Sequence, residues 1–455
     1  MINALERKQH LCVIEPGRSP QDTSSAYATI GEEIIFKTEV LDALAVGGCQ
    51  PIHYDFLLLC AAVEFADRKW KRSQSWSRVL HVTVPVIKLE TWESTEVKTC
   101  LEQVLRYLTG DTWQFEFVQA TNLDPMEFKQ LKLHFDDLKT FAIAYSEGLD
   151  SRAVSALSGS KDEALCVRVA NKHQHAQNGD SFFTQVPFKV KNGPGKESSF
   201  RTRSFQFAAV TAVAAHIRGV NRIVVPESGQ GALAPAILPL YRVYPDYRNY
   251  PPFFRHIEEL IKQVLGHEVN FEQPRLWSTK GETLIAFLKL PGKNPKDLIN
   301  TKSCWQSRHV VNIDRRRLQC GLCAACLLRR LSLHTAGVEE PDGTYVIEDL
   351  KTSDLYEAMS AIPIENDQKR MIDYGSVGAR HFQQFADMVK LDDDDLFTFA
   401  LEIADAIKVT PEESLRNLRM LLTAHAEEWR SFLFAQGEKS FLHNWMDGGN
   451  YGRFE

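Results

Sequence analysis

The chain has 455 residues, of which 44% are hydrophobic and 25% are charged, and its formal net charge is −6. This length exceeds what a single core ordinarily supports, so we expect two or three domains. A negative net charge gives no overall attraction to nucleic acid, and the apolar runs are too short or too interrupted to span a bilayer. The N-terminal residues lack the apolar core of a signal peptide, so we expect a cytoplasmic protein without a membrane partner.

Residues 1–138 are predicted to form an N-terminal α+β accessory domain. Helical and alternating apolar patterns follow one another there, and a glycine at position 110 suits a helix end. The predicted elements are helices over 53–66 and 101–108 and strands over 82–86 and 113–117. We find no constellation of catalytic residues in this region.

Residues 139–340 alternate short apolar strands with helices, which predicts an α/β domain with a parallel sheet and helices on both faces. The predicted strands are 141–145, 165–169 and 223–225, and the predicted helices are 152–157 and 205–217. Ligands of such sheets bind at the carboxyl ends of the strands.

Residues 341–455 are predicted to be a C-terminal helical region. The sequence Thr410-Pro411-Glu412-Glu413 is typical of a helix start. The acidic run 392–395 is interpreted as a helix N-terminus rather than a metal site, because carboxylates are favourable at that end of the helix dipole.

The segment Ser146-Glu147-Gly148-Leu149-Asp150-Ser151 directly follows an apolar strand and opens a helix. Free backbone N–H groups and the helix dipole favour an anion at such a junction, and the two serines add hydroxyl donors. Asp150 could hold the turn or help to position Mg²⁺. The segment lacks both the Walker and the Rossmann glycine patterns. A helix cap without a ligand is the alternative interpretation.

Four of the nine cysteines are clustered, at Cys304, Cys320, Cys323 and Cys326. Four thiolates at this spacing can complete a tetrahedral Zn²⁺ site, which would be structural because no coordination position stays open. Unligated thiols and an iron–sulfur cluster are the alternatives. The arginines at 329 and 330 are interpreted as surface charges or phosphate contacts.

The loop and the cysteine pattern together resemble the 7-cyano-7-deazaguanine synthase (QueC) family of PP-loop ATPases. The loop resembles the family's Ser-Gly-Gly-x-Asp-Ser signature in five of six positions. Further resemblances follow in the family's order: Arg201-Thr-Arg203-Ser, Tyr244-Pro-Asp-Tyr-Arg248, Ser278-Thr-Lys-Gly-Glu282 and the cysteine motif. The resemblance covers about 139–340.

The resemblance implies a PP-loop, adenine nucleotide alpha hydrolase-like fold and an AMP-forming carbon–nitrogen ligase that uses ATP, Mg²⁺ and Zn²⁺. It also implies three sets of residues for this chain. The implied catalytic residues are Asp150, Ser151 and Lys280. The implied nucleotide-binding residues are Ser146, Glu147, Gly148, Leu149, Asp150, Ser151 and Arg203. The implied binding residues for a 7-deazaguanine derivative are Asp246 and Arg248, to which we add Glu227 as a carboxylate that could accept guanine-like N–H donors.

The chain departs from the family pattern at Glu147, which replaces a glycine, at Tyr247, which replaces a cysteine, and in its additional terminal regions. This architecture is similar to QueC-like proteins of Qat-type and type IV CBASS-type anti-phage systems. That similarity implies conjugation of the deazaguanine to the N-terminal amine of a partner protein from the same operon. Queuosine biosynthesis, a PP-loop enzyme that modifies tRNA, and a non-catalytic zinc scaffold stay open as alternatives.

Overall fold

The structure is a computed structural model of the chain. It describes residues 9–20, 24–38, 41, 44, 48–72, 77–123, 139–146, 148–170, 184–191, 197, 199–238, 244–306, 311–313, 316–359, 362 and 365–446. Statements about the fold and its contacts refer to these residues.

The described strands and helices follow one another along the chain. The strands are β1 Gln9–Ile14, β2 Ala26–Thr29, β3 Ile34–Phe36, β4 Val79–Val86, β5 Thr112–Gln119, β6 Phe141–Ala144, β7 Ala164–Ala170, β8 Thr184–Val190, β9 Arg222–Val224, β10 Asn270–Glu272, β11 Asn312–Ile313 and β12 Arg316–Arg317. The helices are α1 Pro51–Lys69, α2 Leu89–Glu93, α3 Thr95–Thr109, α4 Leu149–Ser158, α5 Arg203–Arg218, α6 Gly229–Ala232, α7 Ala234–Ile237, α8 Pro251–Leu265, α9 Lys280–Leu288, α10 Pro295–Ile299, α11 Ala324–Thr335, α12 Leu355–Ala358, α13 Glu365–Asp387, α14 Asp393–Ile407, α15 Pro411–Gln436 and α16 Phe441–Met446.

The chain divides into two compact units, each built from separated segments. The first unit comprises residues 1–145, 159–226 and 246–273, and the second comprises residues 146–158, 227–245 and 274–455. The three-domain division made from the sequence stays a prediction.

The first unit contains a four-stranded sheet in the order β2-β1-β4-β5. The predicted helices and strands of this region are confirmed, and Gly110 ends α3 in the left-handed conformation that glycine favours, with φ 73°. All pairings in the sheet are parallel. Helices α2 and α3 lie between β4 and β5 in the chain, as a crossover between parallel strands requires.

A second sheet in the same unit has the order β10-β9-β6-β7-β8-β3. Its first five strands are parallel, as the alternation of strands and helices predicts, and β3 pairs antiparallel with β8 at the edge. Helix α5 packs against this sheet through an alanine- and valine-rich face, because small side chains permit close approach. The α/β class with flanking helices is confirmed.

The second unit is mainly helical. Thr410 accepts a hydrogen bond from the Glu413 amide at the start of α15, and Asp392 accepts one from the Asp395 amide at the start of α14, so both predicted helix starts are confirmed. The largest core of the unit joins α11, α13, α15 and α16 around residues such as Trp429. None of the helices among the described residues has the length and apolarity that crossing a membrane requires.

Candidate functional site

The loop after β6 is held by its own hydroxyl groups. The Ser146 amide donates to Ser151 Oγ over 3.1 Å, the two serine hydroxyls lie 2.8 Å apart, and the Gly148 amide donates to Ser146 Oγ over 3.2 Å. Leu149, Asp150 and Ser151 form the first turn of α4, where helical geometry directs N–H groups out of the helix end. The local strand, loop and helix are as predicted, and Glu147 lies outside the described residues.

Lys280 is a buried cation beside this loop, with only 8% of its surface exposed. Its Nζ atom lies 2.6 Å from Asp150 Oδ2. Burial lowers the pKa of Lys280, but the charges of Asp150 and Glu227 outweigh burial, so the net shift of the pKa is upward. The ammonium group is therefore charged at neutral pH. The structure brings together three of the predicted site residues, Asp150, Glu227 and Lys280.

One carboxylate oxygen of Asp150 accepts no hydrogen bond from the described residues. This oxygen, Oδ1, is buried, whereas Oδ2 pairs with Lys280. Mg²⁺ prefers carboxylate and phosphate oxygens and keeps several waters. An orphaned carboxylate oxygen beside the serine-rich loop fits such an ion, with Asp150 as the ligand that this chain would supply.

The N-terminus of α9 presents Lys280 through a capping box. Thr279 Oγ1 accepts from the Glu282 amide over 2.9 Å, and Glu282 accepts from the Thr279 amide over 2.8 Å. The Lys280 amide donates to the side chain of Gln230 over 2.7 Å. Backbone and side-chain hydrogen bonds thus fix the position of the residue that carries the buried ammonium.

Helix α15 supports the same helix end from its buried face. Glu428 accepts a hydrogen bond from the Thr279 hydroxyl, and His425 Nδ1 lies 2.8 Å from the Gln230 amide nitrogen. Gln230, His425 and Glu428 were not predicted from the sequence. Glu428 and His425 lie on the apolar stripe of α15, and a polar residue in such a stripe is the signal that could have identified them.

Glu428 titrates unusually. Burial raises its pKa to about 7, opposed by the hydrogen bond from Thr279, while the nearby Glu282 carboxylate raises it further. His425 shows the opposite effect, because burial lowers its pKa to about 4. At pH 6 the folded protein therefore holds a largely protonated carboxyl group and a neutral imidazole behind Lys280.

The four predicted cysteines come together in the second unit. Their sulfur atoms all lie within 4.8 Å of one another, and Cys320, Cys323 and Cys326 are buried. The sulfurs of Cys320 and Cys326 are 3.7 Å apart, close to the separation of about 3.8 Å that tetrahedral Zn–S bonds of about 2.3 Å require. The donor set and its geometry fit Zn²⁺.

Backbone amides point at the sulfurs, as expected for thiolates. The Cys320 amide donates to Cys304 Sγ over 3.2 Å, and the Cys323 amide donates to Cys320 Sγ over 3.3 Å. Gly321 permits this turn, since its φ is 91° and a Cβ atom would come within 2.3 Å of the Ile347 carbonyl oxygen.

The prediction of a surface charge or phosphate contact is wrong for Arg329, whereas Arg330 is partly exposed. Arg329 is fully buried, where it pairs with Glu340 over 2.8 Å and donates to Thr301 over 2.6 Å. Arg330 lies over the ring of Tyr345 at 3.8 Å and donates to backbone carbonyls. Both arginines therefore make structural contacts within the second unit.

Arg203, Asp246 and Arg248 belong to the first unit. Arg203 begins α5, and burial followed by the charge of Arg248 lowers its pKa. Asp246 forms a bidentate pair with Arg248, with Nε–Oδ1 and Nε–Oδ2 distances of 2.7 and 3.0 Å. Burial raises the pKa of Asp246, but the hydrogen bonds and charge of Arg248 outweigh it, so Asp246 is ionised. Their roles in binding stay predictions.

Tyr247, which departs from the family pattern, packs against other aromatic residues with its ring tilted. Its ring centroid lies 4.7 Å from that of Tyr107 and 5.8 Å from that of Tyr250. The substitution therefore places an aromatic ring between two residues that the resemblance assigns to binding.

Comparisons with known proteins agree with part of this description. Residues 201–337 match the family model described as queuosine biosynthesis protein QueC. The chain is 30% identical over 165 residues to the 7-cyano-7-deazaguanine synthase of Psychrobacter cryohalolentis and 29% identical over 165 residues to that of Psychrobacter arcticus. Both alignments cover 36% of this chain and 56% of the relative. No solved structure gives a significant match.

A third relative, the 7-cyano-7-deazaguanine synthase of Hydrogenovibrio crunogenus, is 31% identical over 104 residues, which cover 22% of this chain and 40% of that protein. The matched part of the chain thus spans about half the length of the first two curated relatives. The family-model segment contains the predicted motifs around Arg203, Asp246, Lys280 and the cysteines, but it begins after the loop 146–151. These matches support a QueC-type region in the chain.

We expect Cys323→Ser to lower the zinc content of the purified protein from one ion per chain and to reduce its soluble yield, because Cys323 is one of four convergent thiolates. Metal analysis measures the content. Cys166→Ser, at a buried cysteine outside the cluster, is the matched control and should retain the zinc. Stoichiometric iron with sulfide would overturn the assignment.

We expect Glu428→Gln to remove a pH dependence of stability. The folded-state pKa of about 7 lies above the ordinary value of 4.5, so the stabilisation is fully present below about pH 4.5 and is lost as the pH rises through 7. Relative to the variant, the wild type should lose up to roughly 3 kcal/mol of unfolding free energy across this range. Urea unfolding at pH 4.5 and pH 8 measures the difference. Glu427→Gln, at the exposed neighbour, should follow the wild type, and parallel profiles for Glu428→Gln and wild type would refute the shift.

Proposed function

We propose that the chain is an AMP-forming enzyme that adenylates the carboxylate of a 7-carboxy-7-deazaguanine-type substrate with ATP and then forms an amide. The buried Lys280–Asp150 pair beside the serine-rich loop is the observation that carries this proposal. The deazaguanine substrate class is inferred from the relatives, which are named 7-cyano-7-deazaguanine synthases. The match to the QueC family model supports the assignment of the motifs.

The proposed reaction has two steps. A substrate carboxylate oxygen attacks the α-phosphorus of ATP, the bond to the bridging oxygen breaks, and pyrophosphate leaves. An amine then attacks the acyl carbon, loses a proton and displaces AMP, which leaves an amide. Two barriers replace one, because the acyl-adenylate has a far better leaving group than the free carboxylate.

Residues of the chain would act mainly by electrostatic stabilisation. The first-turn amides of α4 and the hydroxyls of Ser146 and Ser151 would bind phosphate oxygens, and the Lys280 ammonium would offset the charge that develops on pyrophosphate. Mg²⁺, when bound, would neutralise phosphate charge, with Asp150 as its protein ligand. Glu147 would place a further carboxylate in the loop.

The base of the substrate would be recognised by paired hydrogen bonds. Arg203, Asp246 and Arg248 remain our proposed binding residues. Because Asp246 is already paired with Arg248, a ligand must either bind to this ion pair as it stands or displace Arg248 from Asp246. Glu227 is a second candidate. Its effect on the pKa of Lys280 favours a role in holding that ammonium group as well.

The acceptor amine separates two versions of the function. We propose that the acceptor is the N-terminal amine of a partner protein in an anti-phage system. The chain has long regions before and after the segment that carries the adenylation motifs, and these regions offer surface on which a protein could dock. Ammonia, with nitrile formation, is the second candidate, and the curated relatives, which are named 7-cyano-7-deazaguanine synthases, favour it.

We expect the purified chain to convert ATP to AMP and pyrophosphate in the presence of 7-carboxy-7-deazaguanine. Asp150→Asn should reduce pyrophosphate release by roughly 10²-fold or more, because it removes a preorganised charge at the reacting phosphates. Asp342→Asn, at an exposed carboxylate, is the matched control. Pyrophosphate assay and nucleotide chromatography give the result. ADP as the main product would exclude adenylation, and no turnover by folded, zinc-loaded wild type would favour a scaffold.

We expect one protein encoded beside this chain to gain the mass of a deazaguanine amide when it is incubated with the enzyme, ATP and the carboxylated base. An acyl-adenylate reacts with the unprotonated amine held in line with it. Intact mass spectrometry measures the increment, and an acceptor with an acetylated N-terminus is the control that should stay unmodified. Free nitrile that accumulates from ammonia, whichever proteins are present, would instead establish the second version.

A further inference from the structure

One face of the first sheet carries polar residues that the proposed reaction does not use. Alternate residues of β1, β4 and β5, such as Leu11, Val82 and Phe115, are buried. Their neighbours in sequence face the opposite side, because side chains alternate along a strand. His10, His81 and Glu116 lie on this less buried side, one on each of three adjacent strands.

Sheet register brings these three side chains together. His10 is the cross-strand partner of His81, and their rings stack with centroids 4.4 Å apart. Glu116 follows on β5, where its Oε2 atom lies 3.9 Å from His81 Nε2. Each residue offers one ligand atom, and these atoms all lie within 4.8 Å of one another. Metal–ligand bonds of about 2.0–2.1 Å in a tetrahedron imply ligand separations of about 3.3 Å. The separation between His81 and Glu116 must therefore shrink by about 0.6 Å, and the widest separation by up to about 1.5 Å, which side-chain rotation can supply.

Neighbouring hydroxyl groups would orient the first imidazole. Ser25 Oγ lies 3.0 Å from His10 Nδ1, while Thr83 Oγ1 lies 2.9 Å from His10 Nε2 and donates to Glu116 over 3.1 Å. Because Thr83 gives its hydroxyl hydrogen to Glu116, His10 Nε2–H donates to Thr83 Oγ1 and His10 Nδ1 accepts from the Ser25 hydroxyl. A metal bound at Nε2 would take the other tautomer, in which Nδ1–H donates to Ser25 Oγ and Thr83 releases Nε2. A ring nitrogen held in this way by an outer hydrogen bond is typical of histidine ligands to metals.

We propose that His10, His81 and Glu116 bind one divalent transition-metal ion of the zinc class, in addition to the thiolate site. Two imidazoles and a carboxylate suit such an ion, whereas Mg²⁺ and Ca²⁺ prefer oxygen-only ligand sets. Three protein ligands leave one tetrahedral position for water, so this site is open where the four-cysteine site is closed. Cys12, whose Sγ lies 3.4 Å from His10 Nε2, is the nearest thiol.

The experiment is a Zn²⁺ titration of the full chain after its four-cysteine site has been loaded, so that further uptake reports on other sites. Equilibrium dialysis with metal analysis at micromolar free zinc should give two ions per chain for the wild type and one for His81→Ala or Glu116→Gln. Ser25→Ala should keep the second ion with roughly 10–100-fold weaker binding, the usual effect of losing an outer hydrogen bond to a ligand.

Gln114→Ala is the matched control, because Gln114 lies on β5 two residues before Glu116 and is exposed in the same way. The Gln114→Ala variant should bind two ions. All variants should keep the wild-type thermal midpoint in the absence of added zinc, since none of the changed side chains belongs to the buried core. The proposal is overturned if the wild type takes up no second ion, or if His81→Ala and Glu116→Gln bind it as the wild type does. The test does not depend on catalytic activity, so its outcome is independent of the proposed function.

Discussion

A buried ammonium group is stable only where carboxylates lie close to it, and this requirement organises the centre of the second unit. Lys280 is nearly inaccessible to water, so its charge must be balanced by Asp150 and Glu227. The pair joins the first turn of α4 to the first turn of α9. Two helix N-termini, each with outward N–H groups, are thus held together by one ion pair.

Hydrogen bonds from residues distant in the sequence hold this ion pair in position. Gln230 receives the Lys280 amide, and His425 and Glu428 on α15 hold Gln230 and Thr279 in turn. Each of these polar groups is buried, and a buried polar group is costly unless its hydrogen bonds are made. The C-terminal helices therefore contribute to the position of Lys280 and do more than enlarge the core.

Local patterns were sufficient to predict the strand, loop and helix around residues 141–158 and the cysteine cluster, because spacing alone brings those residues together. They were insufficient for Glu428, which lies 149 residues after Thr279 in the chain. Its contact depends on how α15 packs, and no short-range period encodes that. The antiparallel edge strand β3 was missed for the same reason, since residues 34–36 pair with residues 188–190. The roles suggested for Arg329 were wrong because a cysteine-rich sequence gives no indication of the buried Glu340 that it meets.

The pairing of β3 with β8 has a consequence for how this protein could have been assembled in evolution. The strand comes from the first forty residues, yet it closes an edge of the sheet that contains β6 and β7. The same unit has one continuous hydrophobic core that includes Leu11 and Val82 as well as Val213 and Phe253. A segment that shares a sheet and a core with its neighbour cannot be exchanged as a tethered module. An open β8 edge would instead offer unpaired N–H and C=O groups to other chains, so gain or loss of the N-terminal segment must have been accompanied by changes in the sheet that it completes.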